Sequence, residues 1–539
     1  MVKYKENTDK YLYLFLLLIC IVFGAYHIFY YIDVQLADDT HYLRLGLQLP
    51  RTFLPGYGPL YALFFRGINI FTHSRWDTYF IAYTLLVSLP PIVLYFFLLQ
   101  KKIVPWLSYV IALFFFISPY NLFFDNWSRI GHYSVTIILI GLIVYDRYSK
   151  DISKQILILC VVSFLLGYVR PEFHLAWLIY MAIYFIYLVI QKRYKAIILR
   201  ATILIPFLVV YYLFFCPLRG GRSIIAFAQQ FVANECNYLH KPITDAVDYM
   251  TFFYSYFGEV KKISQALFAN PDAFLHHIMM NVSGFSIHSI TQLSGWLMAV
   301  KLWSPPNFVL YGMGIAILLY SAFLHFKMWN TSEHIIGKIS NLLPVILFVP
   351  TLMACIVMKP NPHYLIVFMP LYIYILYPIL IKIQAPKSLQ VVLSMLSVIL
   401  IFFVWKTEKY PLENPWQIST PTCIATPNKI ALAKLLKYQE RDHQRLLDVE
   451  GGINFYVNKS WQWENPFAQN FRPEFTKFLA LQDVDIIYCT QAMCTILQYS
   501  SDSTFHDFRK HPEQYGFHFL PFTDTICDSN QYYGLYIKP

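Results

Sequence analysis

Two adjacent carboxylates, Asp38 and Asp39, lie in the stretch YYIDVQLADDTHYLRLG at residues 30–46, just after the first long apolar run. A carboxylate there can accept the proton of an attacking hydroxyl group. Arg and Lys side chains would complete that chemistry, because they hold phosphate oxygens through charge-assisted hydrogen bonds. The alternative is that both acids are solvated polar residues marking a membrane boundary.

Three further gaps between apolar runs also contain ionisable side chains, and the four gaps together contribute both signs. Ionisable groups at membrane depth are costly and are usually functional or paired, so the gaps together predict a shared polar cavity on one side. Displacement at an anomeric carbon, with a lipid phosphate as leaving group, needs such acids and cations together. Interfacial ion pairs and snorkelling side chains are the alternative. The groups are Asp38, Asp39, His41 and Arg44; Asp125, Arg129 and His132; Arg170, Glu172 and His174; and Lys359 and His363.

The composition indicates an integral membrane protein. The 539 residues are 57% hydrophobic, 19% aromatic and only 14% charged, whereas soluble chains carry about a quarter charged residues. The net charge of +11 is uneven, since residues 406–539 contain 13 Lys and Arg against 15 Asp and Glu. No single basic patch gathers the excess, so nucleic-acid binding is a poor interpretation.

Apolar runs of roughly 20 residues can span a bilayer as helices. The runs here predict a membrane all-α fold with about eleven transmembrane helices. We interpret the first run as a retained helix rather than a signal peptide, because it is long and no small-x-small cleavage site follows it. The predicted spans are residues 11–32, 76–99, 104–120, 131–146, 154–170, 173–190, 196–216, 307–326, 339–358, 363–381 and 388–405.

The charges between these spans predict the orientation. Alternate gaps each contain at least two Lys or Arg, which is typical of cytoplasmic loops. The N-terminus is therefore predicted to be cytoplasmic, and the ionisable groups at the outer helix ends to be extracytoplasmic. The cytoplasmic segments are MVKYKENTDK, QKK, DRYSKDISK, QKRYK, HFKMWNTSEHIIGK and KIQAPK.

Two domains follow from this plan. Residues 1–405 would form the transmembrane domain, with large outer loops at 33–75 and 217–305. Residues 406–539 would form a small extracytoplasmic α/β domain, in which NKIALAKLLKYQERDHQRLLD has helical spacing while DVDIIYC and YYGLYIKP are typical of short strands. Four cysteines in this tail favour one or two disulfides in an oxidising compartment, with reduced core cysteines as an equal alternative. They are Cys423, Cys489, Cys494 and Cys527.

The motifs in this order resemble those of GT-C superfamily glycosyltransferases, especially protein O-mannosyltransferases and the aminoarabinose lipid A transferase. ADDTHYLRLGLQL is similar to their first outer loop, with its acidic pair and a Tyr at Tyr42. PGYGPLYALFFRGI is similar to their Pro-containing PLY segment, which matches Pro59, Leu60 and Tyr61. YVRPEFHLAW resembles an Arg-Pro-Glu element, and KPNPHYLIVFMPLY resembles a late HYL element with His363, Tyr364 and Pro370.

The resemblance implies a polyprenyl-phosphate-sugar donor and an extracytoplasmic hydroxyl acceptor on a lipid, glycan or protein. Asp38 would be the base, Asp39 its partner or an acceptor-positioning group, and Arg170 or Lys359 the phosphate contacts. Some members use a divalent metal and others need none. Since no His and Asp cluster stands at ligand spacing, we predict no metal and no other cofactor. The further substrate-binding candidates are Tyr42, Arg44, Tyr61, Arg129, His132, Glu172, His363 and Tyr364.

Two other classes of protein compete with this hypothesis. A transporter would place ionisable residues near the bilayer midplane and often contain inverted repeats, and no convincing repeat is present here. A ligase or polymerase of surface polysaccharide would also use a large outer loop and basic phosphate contacts, but it would not need paired acids after the first helix. The absence of sorting signals favours a bacterial inner membrane as the location of this multi-pass protein.

Overall fold

The structure is a computed structural model of the whole chain. It describes all residues except 1, 31, 37, 52, 119, 123–127, 149–150, 213–215, 217–221, 241–248, 298–314, 318, 325–341, 384–385, 387–389, 391, 393–426, 450, 459, 465–473, 491–492, 495–498, 500–501 and 522–533. The predicted span 388–405, Asp125, Cys423 and Cys527 therefore lie wholly or mostly outside the described residues.

The fold is mostly helical. The helices of the first half are α1 (Val2–Tyr30), α2 (Asp38–Gln48), α3 (Pro59–Thr72), α4 (Arg75–Gln100), α5 (Pro105–Phe116), α6 (Ile130–Arg147), α7 (Ile152–Gly167), α8 (Phe173–Ile190) and α9 (Tyr194–Val210). The later helices are α10 (Arg222–Tyr238), α11 (Tyr249–Phe257), α12 (Ile263–Ala269), α13 (Pro271–Leu297), α14 (Val349–Val357), α15 (Pro362–Leu365), α16 (Met369–Leu380), α17 (Pro427–Leu435), α18 (Ile453–Val457), α19 (Phe475–Gln482) and α20 (Ser503–Lys510). Short 3₁₀ turns include Pro55–Tyr57, Leu343–Phe348 and Ile366–Phe368.

Within the described part of the chain, five helical stretches are long and apolar enough to cross a membrane. They are Tyr11–Phe29, Arg75–Gln100, Ile130–Arg147, Phe173–Ile190 and His363–Leu380. Shorter apolar helices occupy Pro105–Phe116, Ile152–Gly167, Ile197–Val210, Ile315–Leu324 and Leu343–Val357. Each of these ten stretches overlaps a span predicted from the sequence, so these runs are helical as predicted and five of them are long enough to cross a membrane, whereas the number of eleven spans stays a prediction.

Local signals set the helix boundaries. The Ser74 hydroxyl accepts the Asp77 N–H at 3.2 Å at the start of α4, and the Asp151 carboxylate accepts the Lys154 N–H at 3.1 Å at the start of α7. Such N-caps satisfy donors that have no partner within the helix. Buried aliphatic and aromatic side chains then pack α4 against α1, α5 and α6, and α7 against α8.

The outer loop at 33–75 is more ordered than its sequence suggested. It folds as α2 and α3, which pack against each other before the chain enters α4. The loop at 217–305 likewise contains α10 to α13 around an aromatic core that includes Phe227, Phe231 and Phe253. Neither helical unit was predicted, because the apolar residues of these loops are interrupted by polar and charged ones.

A small mixed sheet lies in the C-terminal part, which we call the sheet unit (residues 427–539). Its strands are β1 (Arg445–Leu447), β2 (Gln462–Glu464), β3 (Ile486–Cys489), β4 (His518–Pro521) and β5 (Gly534–Ile537), in the order β2-β1-β3-β5-β4. β1 runs parallel to β2 and β3, while β5 is antiparallel to β3 and β4. The predicted strands in DVDIIYC and YYGLYIKP correspond to β3 and β5, whose residues are all buried.

One expectation for this unit needs correction. The helical pattern after Asn428 ends near Tyr438, and Arg445–Leu447 form strand β1 because they pair with two neighbouring strands. Cys489 and Cys494 are free thiols with their sulfur atoms 3.6 Å apart, which agrees with the alternative of reduced cysteines for these two, and a disulfide elsewhere in the tail stays a prediction.

The sheet unit shares a hydrophobic core with the first helices. Leu446, Ile453 and Tyr456 belong to the same buried cluster as side chains of α1 to α4. Asp33, just after α1, accepts the backbone N–H groups of Asn428 and Lys429 at 2.9 Å each and thereby caps α17. Burial raises the pKa of Asp33 to about 6, an increase that these hydrogen bonds oppose. The sheet unit is therefore joined to the outer loop by both packing and hydrogen bonds.

Candidate active site

A cavity of about 670 Å³ lies where the ends of several helices meet. Its lining comes from the start of α2, the turn before α3, the start of α6, the turn between α7 and α8, and parts of α10, α14 and α15. A volume of this size is ordinary for a small-molecule site, which typically measures roughly 300–1,000 Å³. Segments separated by more than 300 residues thus contribute to one concave surface.

Six of the residues predicted from the sequence line this cavity. They are Asp38, Tyr42, Arg170, Glu172, His363 and Tyr364. The other six candidates, described below, are not in its lining: Asp39, Arg44, Tyr61, Arg129, His132 and Lys359. The convergence therefore joins the first loop, the Arg-Pro-Glu element and the HYL element.

Asp38 is the exposed member of the acidic pair. It begins α2, and among the described residues no hydrogen bond or ion pair engages its carboxylate. Both oxygens are consequently free to accept from a ligand in the cavity.

Asp39, by contrast, is buried behind the cavity wall and fully engaged. Its Oδ1 accepts the hydroxyls of Tyr61 at 3.3 Å and Ser128 at 2.6 Å. Its Oδ2 accepts the Arg129 N–H at 3.1 Å and the Tyr83 hydroxyl. Desolvation raises the pKa of Asp39 to about 6, and the neighbouring Asp38 adds to the rise, while the hydrogen bonds oppose it. Asp39 thus ties α2 to α3, α4 and the start of α6.

Arg170 is held in one orientation by its neighbours. Its Nε donates to Glu172 at 2.6 Å, its second terminal nitrogen lies 2.5 Å from the same carboxylate oxygen, and Nη1 donates to the His363 carbonyl at 2.9 Å. The guanidinium also stacks 4.0 Å from the centre of the Tyr364 ring. Among the described residues, these contacts use three of its five N–H donors and leave two for a ligand.

The turn before α3 depends on Gly58. Its φ of 60° is one that residues with a side chain rarely adopt, and an added Cβ would lie 2.8 Å from the Val169 carbonyl oxygen. The adjacent Leu60 N–H donates to the Tyr168 carbonyl at 3.0 Å, which joins this turn to the segment before Arg170. The PGYGPLY motif pointed to Tyr61, whereas the residues of this segment that line the cavity are Pro55, Gly56, Tyr57 and Gly58.

The remaining candidates support the surrounding structure. Tyr61 donates to Asp39, and Arg129 donates through Nη1 to the Asn121 carbonyl at 2.8 Å. His132 is buried in α6. Arg44 lies 5.3 Å from the ring centre of Phe455 in the sheet unit. Burial lowers the pKa of Lys359, which follows the cavity residue Met358.

One wall of the cavity is apolar and was not foreseen. Pro350, Met353, Ala354, Val357 and Met358 form it along α14. Its last turn is held by α13, since Asn281 donates to the carbonyls of Ile356 and Met358 at 2.9 Å each, and His277 Nε2 lies 3.1 Å from that of Val357. The sequence signal that could have found this support is the spacing of four residues between His277 and Asn281, which places both on one face of α13, where Asn234 also bonds to them.

The part of the chain that the structure describes contains no group of three or more His, Cys, Asp or Glu side chains arranged to hold a metal ion. The cavity itself presents one free carboxylate, one oriented guanidinium with its own counterion, and an apolar wall. Such a site can take a proton from a ligand hydroxyl at one point and hold an anionic group at another.

Comparison of the chain with protein-family models and with curated proteins gave no match. The likeness to GT-C glycosyltransferases stays a prediction from the motifs.

Proposed function

We propose that the protein is an integral membrane glycosyltransferase that moves a sugar from a polyprenyl-phosphate donor to an extracytoplasmic acceptor hydroxyl. The observation that carries the proposal is that Asp38 and Arg170 line one cavity. The carboxylate of Asp38 has no partner among the described residues, and Arg170 keeps two N–H donors unused. The resemblance of the motifs to GT-C enzymes adds the sugar-phosphate lipid as donor.

In the proposed reaction, Asp38 accepts the proton of the acceptor hydroxyl. The oxygen of that hydroxyl attacks the anomeric carbon of the sugar. The bond between that carbon and the phosphate oxygen breaks, and the polyprenyl phosphate leaves with the electron pair. The free edge of Arg170 would hold the phosphate through two parallel N–H bonds, which is the geometry that guanidinium groups favour. Glu172 and Tyr364 would keep that edge turned towards the cavity.

The apolar wall suits the lipid part of such a donor. Leu175 and Met353 line the cavity and are 43% and 47% exposed, so the apolar lining continues to the outside of the helix bundle. A prenyl chain could leave the cavity along this path with its isoprene units against aliphatic side chains. Burying such a chain contributes about 25 cal/mol per Å² of apolar surface removed from water.

The finer topology belongs to the same proposal. The five shorter apolar helices and residues 388–405 would complete eleven spans, with the N-terminus in the cytoplasm because Lys and Arg gather in the alternate loops. The cavity and the sheet unit would then lie on the outer side, in a bacterial inner membrane by our sequence interpretation. Acceptors on a lipid, a glycan or a protein are all compatible with a hydroxyl nucleophile.

The test is a transfer assay with the purified full-length chain in lipid nanodiscs. Polyprenyl-phosphate hexoses and pentoses are supplied with hydroxyl acceptors of the three classes, and released polyprenyl phosphate and glycosylated product are measured by mass spectrometry. We expect turnover with at least one donor. Donor flux across liposomes without any glycosyl product would instead support a transporter and overturn the proposal.

Asp38→Asn is the matched variant for the base. We expect turnover to fall by about 10²–10⁴-fold, the usual contribution of a general base, with donor binding and thermal stability retained. Asp483→Asn serves as control, because Asp483 lies on the surface of the sheet unit with a 78% exposed side chain. Full activity of the Asp38 variant would overturn the assignment of the base.

A further inference from the structure

The sheet unit reaches the first turn of α2 through a tyrosine. Tyr456 of α18 is buried, and its hydroxyl lies 2.9 Å from Thr40 Oγ1. Thr40 Oγ1 also lies 2.9 Å from the Gln35 carbonyl, which can only accept, so the Thr40 proton is used there. Tyr456 must therefore donate to Thr40. A donor that lies 416 residues away in the chain thus fixes a residue two positions from Asp38.

Gln35 links this contact to the acidic pair. Its side-chain oxygen accepts the Asp39 N–H at 2.7 Å, and its own N–H donates to the Tyr79 hydroxyl at 2.8 Å. The first N–H groups of a helix have no partner within the helix, so a cap of this kind determines how the helix starts. The start of α2 is consequently held from the membrane helix α4 on one side and from the sheet unit on the other.

A second, independent feature fixes the approach of the sheet unit. Gly452, at the start of α18, has a φ of 107°. A Cβ at this position would lie 2.8 Å from the Leu36 carbonyl oxygen and 3.1 Å from Thr40 Cγ2. The backbone before α18 therefore touches the segment from Leu36 to Thr40 at a distance that only glycine permits.

We propose that Tyr456 is a positioning residue for Asp38 and that the sheet unit is a structural part of the active centre. The inference rests on the proposed function, since it assigns Asp38 a reaction to perform. Asp38 has no described partner of its own, so its place at the cavity depends on the backbone that bears it. That backbone is set by the bonds to Gln35, Thr40 and Asp39, of which the Thr40 bond comes from outside the membrane part.

The ring of Tyr456 allows the hydroxyl to be tested separately from the packing. The Tyr456 ring lies edge-on to the rings of Trp76 and Tyr79, whose centres are 6.3 and 6.2 Å from its own. Tyr456→Phe keeps these contacts and removes only the donor. Thr40→Val removes the acceptor, and Thr40→Ser restores it. Tyr515→Phe is the matched control, because Tyr515 donates to Asp507 within the sheet unit, away from α2.

Two measurements on the full-length protein in nanodiscs decide the matter. The first is hydrogen exchange of the amides of residues 38–41, which we expect to rise at least tenfold in Tyr456→Phe and Thr40→Val, with α6 and β3 unchanged. The second is turnover with the polyprenyl-phosphate sugar found by the transfer assay. We expect kcat to fall roughly tenfold with KM altered less than about twofold, because a small misplacement of a reacting group lowers rate more than binding.

The outcomes separate this inference from the proposed function. Unchanged exchange at residues 38–41 in Tyr456→Phe would overturn the inference even if the enzyme transfers sugar. Increased exchange without loss of kcat would overturn it as well, since the hydroxyl would then serve packing alone. An inactive wild-type protein would overturn the glycosyltransferase proposal, and with it the role of Asp38. Increased exchange with a lower kcat, rescued in Thr40→Ser and absent in Tyr515→Phe, would support it.

Discussion

The cavity and the buried network behind it each contain one residue of the pair Asp38-Asp39, and the two carboxylates have opposite surroundings. At the cavity, Asp38 is exposed and has no partner among the described residues. In the network, Asp39 is buried and accepts four donors from α3, α4 and the start of α6. Successive residues of an α-helix point about 100° apart, so neighbours in sequence reach different surroundings.

The difference assigns separate tasks to the two carboxylates. A group that accepts four hydrogen bonds has little capacity left for a ligand, whereas a free carboxylate at a cavity can accept a proton. Ser128 links the two regions, because its hydroxyl donates to Asp39 while the residue lines the cavity. We therefore expect substitutions at Asp38 to change turnover and substitutions at Asp39 to change stability.

The largest effect on stability is expected for Asp39→Ala. It leaves two tyrosine hydroxyls, a serine hydroxyl and a backbone N–H without their acceptor in a buried site. Unfolding free energy should fall by about 4 kcal/mol, because each buried donor left without an acceptor costs about 1–3 kcal/mol. Thermal denaturation in detergent measures this. Asp38→Ala is the control and should change it by less than about 0.5 kcal/mol. Equal destabilisation by both variants would contradict the division of tasks.

A smaller effect, on turnover, is expected for Arg170→Lys. A lysine cannot pair with Glu172 through two N–H groups and stack on Tyr364 at once, so the phosphate contact loses its orientation. We expect kcat/KM to fall by about 10²-fold, which corresponds to about 3 kcal/mol of transition-state binding.

The chain offers a matched control for this substitution. Arg441 in the sheet unit also stacks on a tyrosine, 4.9 Å from the ring centre of Tyr438, and donates to the Lys538 carbonyl at 2.9 Å. Arg441→Lys should leave turnover within about twofold of the wild type. A similar loss in both variants would show that the effect is structural rather than specific to the cavity.

The sequence was sufficient to predict the long apolar helices, and six of the twelve residues predicted for the site line the cavity. Apolar runs of spanning length leave the chain few alternatives to a helix, because every backbone polar group must be satisfied within lipid. The meeting of Asp38, Arg170 and His363 was predicted because each residue lies near the end of an apolar run, a pattern that needs no contact information.

The missing half depends on contacts between distant residues. Asp39 turns away from the cavity because it lies on helix α2 and bonds to Tyr83, 44 residues later. The residues next to Asp39 in the sequence predict neither the helix nor this partner. The sequence pattern around Arg445–Leu447 indicated a helix. These residues form strand β1 because they pair with β2 and β3, which local preference does not predict. The contact between Tyr456 and Thr40 joins segments 416 residues apart and is equally invisible in the sequence.

The smallest expected effect concerns pH and sharpens the contrast at Asp39. Burial raises its pKa from 3.8 to about 6, so in this interval the folded protein binds more protons than the unfolded chain. Unfolding free energy must then fall as pH rises from about 4 to 6, and the contribution of the protonated group is lost above 6.

Other groups titrate in the same window, Asp33 among them, so the informative quantity is the difference in unfolding free energy between wild type and Asp39→Asn. We expect the unfolding free energy of the wild type minus that of Asp39→Asn to fall by about 2 kcal/mol between pH 4 and pH 7. Thermal denaturation across this range measures it. A difference that grows with pH would mean that Asp39 is stabilised as a carboxylate, and the buried network would then hold a permanent charge.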